Sequence, residues 1–134
     1  MKIIKVDNFD SFKQLYDQYM ENKDGPETTS LLMLFVGADD PQTLKSWCSD
    51  CRNCEETFNK VFDKFKYNEQ LALAIVSVGQ RDEWKDGSNP FRTHVLNITS
   101  IPTLVSLKTV SMVSTIFISE AAIFAQQRSY LTNL

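Results

Sequence analysis

The residues best suited to chemistry are Cys48 and Cys51, set in Ser46-Trp47-Cys48-Ser49-Asp50-Cys51. Two thiols three positions apart on the first turn of a helix share one face, and their spacing suits the ~5.5–6 Å Cα separation a disulfide prefers. Such a pair can open and close without moving the fold. At a helix N-terminus, Cys48 would meet unpaired backbone N–H groups and the positive end of the helix dipole, which favour a thiolate and make that sulfur the nucleophile. Cys51, one turn further in, is the more shielded, resolving thiol. The redox reading gains specificity where a buried strand hands over to a helix within a βαβ pattern. Two half-buried core cysteines are the plain alternative.

Cys54 extends the pattern to Cys-x-x-Cys-x-x-Cys and raises a metal or cluster reading. Ligand counting opposes it, because Thr57 takes the next place at this spacing and the only histidine, His94, lies far along the chain. No metal is expected. Cys54 reads as a small core residue on a stripe with Phe58, with a Cys51–Cys54 disulfide open to it under oxidation. A second feature is Ser100-Ile101-Pro102-Thr103, a proline at the start of a strand. On the residues alone its bond is expected trans, since only about 5–6% of X–Pro bonds in folded proteins are cis.

Lys2 to Val6 is a short strand, and Asp7 or Asn8 caps a helix in which Phe9, Phe12, Leu15, Tyr16 and Tyr19 recur at helical intervals. Asp24-Gly25-Pro26 stops it. Leu31 to Val36 is a continuous apolar run, the pattern of a strand covered on both faces. Gly37 to Lys45 is a polar loop. From Ser49, Cys51, Cys54, Phe58, Val61, Phe62 and Phe65 form the buried stripe of a helix ending near Tyr67-Asn68. Leu71 to Gly79 is a second apolar strand, completing a βαβ crossover. Gln80 to Asn89 is a polar loop, and Pro90 to Leu96 a short helix with proline in its first turn. Thr103 to Leu107 and Val110 to Ile118 form an antiparallel hairpin. Ser119 caps a last helix through Leu131. The order β α β α β α β β α implies a mixed sheet with helices on both faces.

Trp47-Cys48 to Cys51, followed downstream by Ile101-Pro102-Thr103 in this order of elements, resembles the thioredoxin superfamily. The resemblance implies an α/β thioredoxin fold, a central mixed β-sheet flanked by helices on both faces, as one domain over residues 1–134. More narrowly, Lys45 to Cys51 together with Trp84-Lys85-Asp86 and Asn89-Pro90-Phe91-Arg92 is similar to the cytosolic fourteen-kilodalton thioredoxin-related proteins. Those carry Trp-Cys-Pro-Asp-Cys with a downstream Trp-Lys-Asp and then Phe-Arg. The match is tight from Lys45 to Leu107 and loose after Lys108.

The resemblance implies that Cys48 attacks a substrate disulfide and Cys51 resolves the mixed disulfide. Thioredoxin reductase would then reduce the pair at the expense of NADPH, with no cofactor bound to the chain itself. It further implies that Pro102 is cis and packed against the cysteines, and that the Ile101 backbone offers strand-like hydrogen bonds to a substrate chain. Trp47 would wall the sulfurs, and Asp50 would tune reactivity and partner choice. Trp84, Lys85 and Asp86 would shape the substrate rim, a structural loop around a buried tryptophan being the alternative. The implied substrates are small disulfides, nitrosothiols, persulfides and selected protein disulfides. The chain departs from the pattern at Ser49, where the family has proline, so the redox potential does not carry over. Leu31 to Val36 also lacks the buried aspartate of thioredoxin itself, which leaves Asp39, Asp40 and a water as candidates for the proton partner of Cys51.

With 134 residues, 14 basic and 17 acidic side chains and a formal net charge of −3, the chain is sized for one domain whose core needs no metal or disulfide staple. A pI of about 5.1 without a Lys/Arg cluster argues against nucleic-acid and anionic-membrane partners. Three cysteines, an odd number, do not make a secreted disulfide framework. Met1 to Val6 holds no apolar signal region, and the longest apolar run, six residues, is far short of the ~20 a membrane span needs. A cytoplasmic monomer is expected, acting as a disulfide reductase on small-molecule or protein disulfides. The rival reading is a thioredoxin-fold module that docks a partner with its cysteine end.

Overall fold

A computed structural model describes residues 1–21, 30–107 and 113–117, the last as backbone. In chain order the elements are β1 (Lys2–Val6), α1 (Phe9–Glu21), β2 (Ser30–Val36), α2 (Ser49–Asp63), β3 (Leu71–Ser77), α3 (Arg81–Lys85), α4 (Pro90–Thr93), β4 (Thr103–Leu107) and β5 (Val113–Phe117). The five strands form one sheet in the order β1-β3-β2-β4-β5. β1, β3 and β2 run parallel, and β4 lies antiparallel to both β2 and β5.

The uninterrupted apolar run of β2 is covered on both faces. Leu31, Met33 and Phe35 join the cluster built with Phe12 of α1, Trp84 of α3 and Phe91 of α4, whereas Leu32 and Leu34 join Cys54, Phe58, Val61 and Phe62 of α2. This division follows from the two-residue period of a strand. Phe12 is fully buried, with ring contacts to Phe9, Tyr16, Phe35, Phe91 and His94. Burial of such a side chain contributes about 1.5–3 kcal/mol. The Tyr19 hydroxyl donates to the Leu107 carbonyl at 3.0 Å, fixing the far end of α1 to β4.

Asn8 caps α1, its Oδ1 accepting from the Ser11 N–H at 2.8 Å. Four boundaries differ from the sequence expectation, the smallest at β3, which ends at Ser77 and not at Gly79. α2 ends at Asp63 and gives way to turns, so Lys64 to Asn68 are not helical. The expected loop of Gln80 to Asn89 contains α3, started by the Glu83 carboxylate accepting from the Gln80 N–H at 3.1 Å. α4 stops at Thr93 because His94 is extended. Its start is set by Asn89, whose Oδ1 accepts from the Phe91 N–H at 3.0 Å. The expected turn at Asp24-Gly25-Pro26, the strand residues 110–112 and 118 and the final helix fall outside the described residues. No helix among the described residues is long and apolar enough to cross a membrane.

Candidate active site

The chain leaves β2 at Gly37 and enters α2 at Ser49, and the intervening loop is folded back on itself. Asp39 and Ser46 form an isolated antiparallel bridge, with the Trp47 N–H donating to the Ala38 carbonyl at 3.1 Å. The Trp47 indole lies so close to Gly37 that a Cβ there would stand 2.8 Å from its Cε2. Its Nε1 donates to the Gly79 carbonyl at 2.8 Å, and Gly79 adopts a φ of 101°, a region that favours glycine. Trp47 is thus fixed against the ends of β2 and β3, with the Arg81 guanidinium 5.0 Å above its ring.

Cys48 is the N-cap of α2 in extended conformation. The Ser46 hydroxyl donates to the Gly37 carbonyl at 2.8 Å and accepts from the Cys48 N–H at 3.2 Å, which ties the cysteine to the strand end. The Cys51 N–H donates to the Cys48 sulfur at 3.3 Å, taking the role of a capping interaction. A helix-terminal N–H aimed at sulfur stabilises negative charge there. The Cys48 thiol also faces the Ile101 carbonyl at 4.0 Å. The Ile101–Pro102 peptide bond is cis, and the Thr103 hydroxyl donates to the Ser100 carbonyl at 2.6 Å just beyond it.

Cys48, Cys51 and Cys54 are in the thiol form, none of them in a disulfide. Cys51 is only 5% exposed, and burial, followed by the adjacent Cys48, pushes its thiol well above the ordinary thiol range. The Gly37 backbone amide acts in the opposite sense and the nearby Cys54 adds to the rise. Cys54 packs among Phe58 and Leu34 on the sheet side of α2. No group of three or more His, Cys, Asp or Glu side chains among the described residues is placed to hold a metal.

A cavity of about 690 Å³ reaches Cys51 from the sheet side, lined in part by Leu34, Ile75, Ser77 and Asp39. Of the two aspartates weighed as proton partners, Asp39 lines this cavity. Asp40 does not, and its Oδ1 accepts from the Gln42 and Thr43 N–H groups at 2.7 and 3.3 Å. Ser49 and Asp50 are exposed on the first turn of α2, and Ile101 and Pro102 sit across from it on the Cys48 side.

Trp84 does not stand at a rim. It is 6% exposed and belongs to the core on the α1 side of the sheet, with the Arg92 guanidinium 3.9 Å from its ring and the Arg92 Nε donating to its carbonyl at 2.8 Å. The apolar ring is worth more inside, and Arg92 covers it. Lys85 and Asp86 are exposed, and Asp86 accepts from the Ser88 N–H and hydroxyl at 2.9 and 2.8 Å. Arg81 and Arg52 were not read from the sequence as part of this site. Arg52 donates to the Ser46 carbonyl at 2.5 Å, and its position one residue after Cys51 was the available signal.

Residues 5–123 match the family described as thioredoxin domain-containing protein 17-like, thioredoxin domain. The chain is 29% identical over 106 residues to the thioredoxin-like protein Clot of Arabidopsis thaliana, covering 78% of each chain. It is 27% identical over 106 residues to thioredoxin domain-containing protein 17 of Homo sapiens, covering 79% of this chain and 77% of that one. Among solved structures it is similar to thioredoxin NaTrxh of Nicotiana alata, with a TM-score of 0.60, 14% identity and coverage of 98% and 94%. It is also similar to oxidised thioredoxin O1 of Arabidopsis thaliana, with a TM-score of 0.59, 19% identity and 97% coverage of both. The fold is therefore the thioredoxin fold, and the proximity of Cys48 and Cys51 within it supports a thioredoxin-like redox role. The chain belongs to the thioredoxin domain-containing protein 17-like family of the thioredoxin superfamily.

Proposed function

We propose that this protein is a disulfide reductase in which Cys48 is the nucleophile and Cys51 the resolving thiol. The observation that carries the reading is the Cys51 N–H directed at the Cys48 sulfur at 3.3 Å, with the Ile101 carbonyl 4.0 Å from the same sulfur. The Cys48 thiolate attacks one sulfur of a substrate disulfide, the substrate S–S bond breaks and one substrate thiol leaves. Cys51 loses its proton to Asp39 or to water in the cavity beneath it and attacks the Cys48 sulfur, releasing the second thiol and closing the Cys48–Cys51 disulfide. The Ile101 backbone, beside Pro102, offers an edge along which an extended substrate can lie. Trp47 walls the sulfurs, and Ser49 and Asp50 meet the incoming partner. The pair would be returned to the dithiol by thioredoxin reductase and NADPH, in the cytoplasm and as a monomer, with small disulfides, nitrosothiols, persulfides or selected protein disulfides as substrates.

The test is a pair of variants in a turnover assay with thioredoxin reductase. Cys48→Ser abolishes reduction, and Cys51→Ser accumulates a mixed disulfide at Cys48 that intact mass reveals. Normal turnover of a protein disulfide by Cys51→Ser would sink the two-thiol mechanism.

A further inference from the structure

Beside Trp47 lies an open groove of about 710 Å³, within the size range of small-molecule sites, and three of its lining side chains are the cations Lys45, Arg52 and Arg81. They come from three separate segments: the end of the loop before Cys48, the first turn of α2, and the start of α3. None has a carboxylate within ion-pairing distance among the described residues, whose ion pairs are Lys13–Asp17, Lys60–Glu56 and Lys66–Asp63. Arg52 is tethered through the Ser46 carbonyl and Arg81 lies over the Trp47 ring, so both guanidinium groups are oriented without being neutralised. Two carboxylates also line the groove. Asp40 is engaged by the Gln42 and Thr43 amides, and Asp82 follows Arg81 on α3.

We propose that Lys45, Arg52 and Arg81 form a substrate-selecting groove that favours disulfides carrying carboxylates. The proposal rests on the reductase reading above and names the substrate class for it. A substrate bound at Cys48 has one half passing Trp47, and there a carboxylate meets cations it can pair with instead of the acidic surface of a chain of net charge −3. The planar guanidinium suits a carboxylate in particular, because it donates two parallel hydrogen bonds. Selection operates on the first chemical step. One molecule of dithiol protein and one of disulfide give one protein disulfide and two substrate thiols, so a single turnover needs no further reductant.

The test uses the reduced full-length protein in single turnovers with three aliphatic disulfides of similar length, followed by tryptophan fluorescence and intact mass. Dithiodipropionate carries two carboxylates, bis(hydroxyethyl) disulfide is neutral and cystamine carries two ammonium groups. Each rate is divided by that of a simple monothiol with the same disulfide, which removes intrinsic reactivity. The expected result is a preference for dithiodipropionate over the neutral disulfide that shrinks between about 0.01 M and about 1 M salt. Lys45→Gln and Arg81→Gln, both at exposed positions, should each reduce that preference roughly two- to five-fold, whereas Arg81→Lys, which keeps the charge and loses the paired donors, retains only part of it. The net charge alone demands the reverse, a preference for cystamine. That order, or an anionic preference that survives the Lys45→Gln/Arg81→Gln double variant, overturns the groove. Turnover blind to charge overturns this inference only, while failure of every disulfide to oxidise the cysteine pair overturns the reductase reading as well.

Discussion

The backbone N–H of Cys51 donates to the sulfur of Cys48 at 3.3 Å, so Cys51 supplies, through its main chain, the hydrogen bond that caps α2 at Cys48. The two thiols are thereby unlike despite sharing a helix turn. Both sulfurs are buried, but Cys48 caps the N-terminus of α2, whereas burial and the neighbouring Cys48 outweigh the Gly37 backbone and hold the Cys51 thiol in the protonated form. Iodoacetamide at neutral pH should therefore modify Cys48 first, at least ~10-fold faster than Cys51 or Cys54. Peptide mapping of a time course checks this, and equal labelling of Cys48 and Cys51 would contradict the asymmetry.

Gly37 is the second fixed point of the site. A methyl group there meets the Trp47 ring at 2.8 Å and the Ser46 hydroxyl at 3.0 Å, and both residues position Cys48. Gly37→Ala should cost about 1–3 kcal/mol in denaturant unfolding, the usual penalty of overpacking. It should also lower the rate of Cys48 oxidation, because the indole must leave its bond to the Gly79 carbonyl. Unchanged stability and rate in the Gly37→Ala variant would show that the loop gives way freely.

The strands and the two long helices were legible because their signals are local. The apolar runs at Leu31 to Val36 and Leu71 to Gly79 read as buried strands, and the Cys48–Cys51 spacing read as a redox pair at a helix start. Which residues of β2 face which helix was not legible, since an all-apolar strand hides its period of two. The α3 segment was missed for a different reason. Its sequence, Arg81-Asp82-Glu83-Trp84-Lys85, is polar but for one tryptophan, and that tryptophan enters the core because Arg92 covers it from α4. The cationic groove was likewise invisible, since Lys45, Arg52 and Arg81 become neighbours only when three segments meet.

Phe12 is the residue through which α1 joins the sheet and α4. It touches five rings from both directions along the core and has no exposure to water. Phe12→Ala should destabilise the protein by about 3–5 kcal/mol. Urea unfolding with the midpoint and slope both recorded measures it, and a loss under about 1 kcal/mol would mean that the rings collapse to fill the space.

His94 makes the same cluster sensitive to acid. Its imidazole stacks edge-on against Phe12 and Tyr16, and its Nδ1 accepts from the Leu96 N–H at 3.2 Å. Burial lowers its pKa below 6.5, with Asp17 opposing and Lys13 adding to the shift. The unfolded chain therefore binds this proton more readily than the native one. Its stabilising contribution is complete above pH 6.5 and is lost as the pH falls below it. His94→Gln keeps an acceptor side chain without titrating in this range, so its stability should decline less than that of the wild type from about pH 7.5 to about pH 5.5. Parallel declines would show that the imidazole is not the group responsible.

Cys51 imposes the opposite dependence at the alkaline end. Its thiol is raised above the ordinary value of 9.0, chiefly by burial, so the native protein keeps a proton that the unfolded chain gives up. The stabilising contribution is whole below about pH 9 and disappears as the pH rises further, with a limiting slope of about 1.4 kcal/mol per pH unit for one proton. Oxidation removes the group, as does Cys51→Ser. Urea unfolding of the reduced protein between about pH 8 and about pH 10.5 should thus fall more steeply than that of either reference, and the difference should widen with pH. Lysines and tyrosines titrate in all three samples and cancel in the comparison. Three parallel curves would mean that the Cys51 sulfur ionises as readily in the folded chain as in the unfolded one, and that the cavity beneath it solvates a thiolate without the aid of a buried carboxylate.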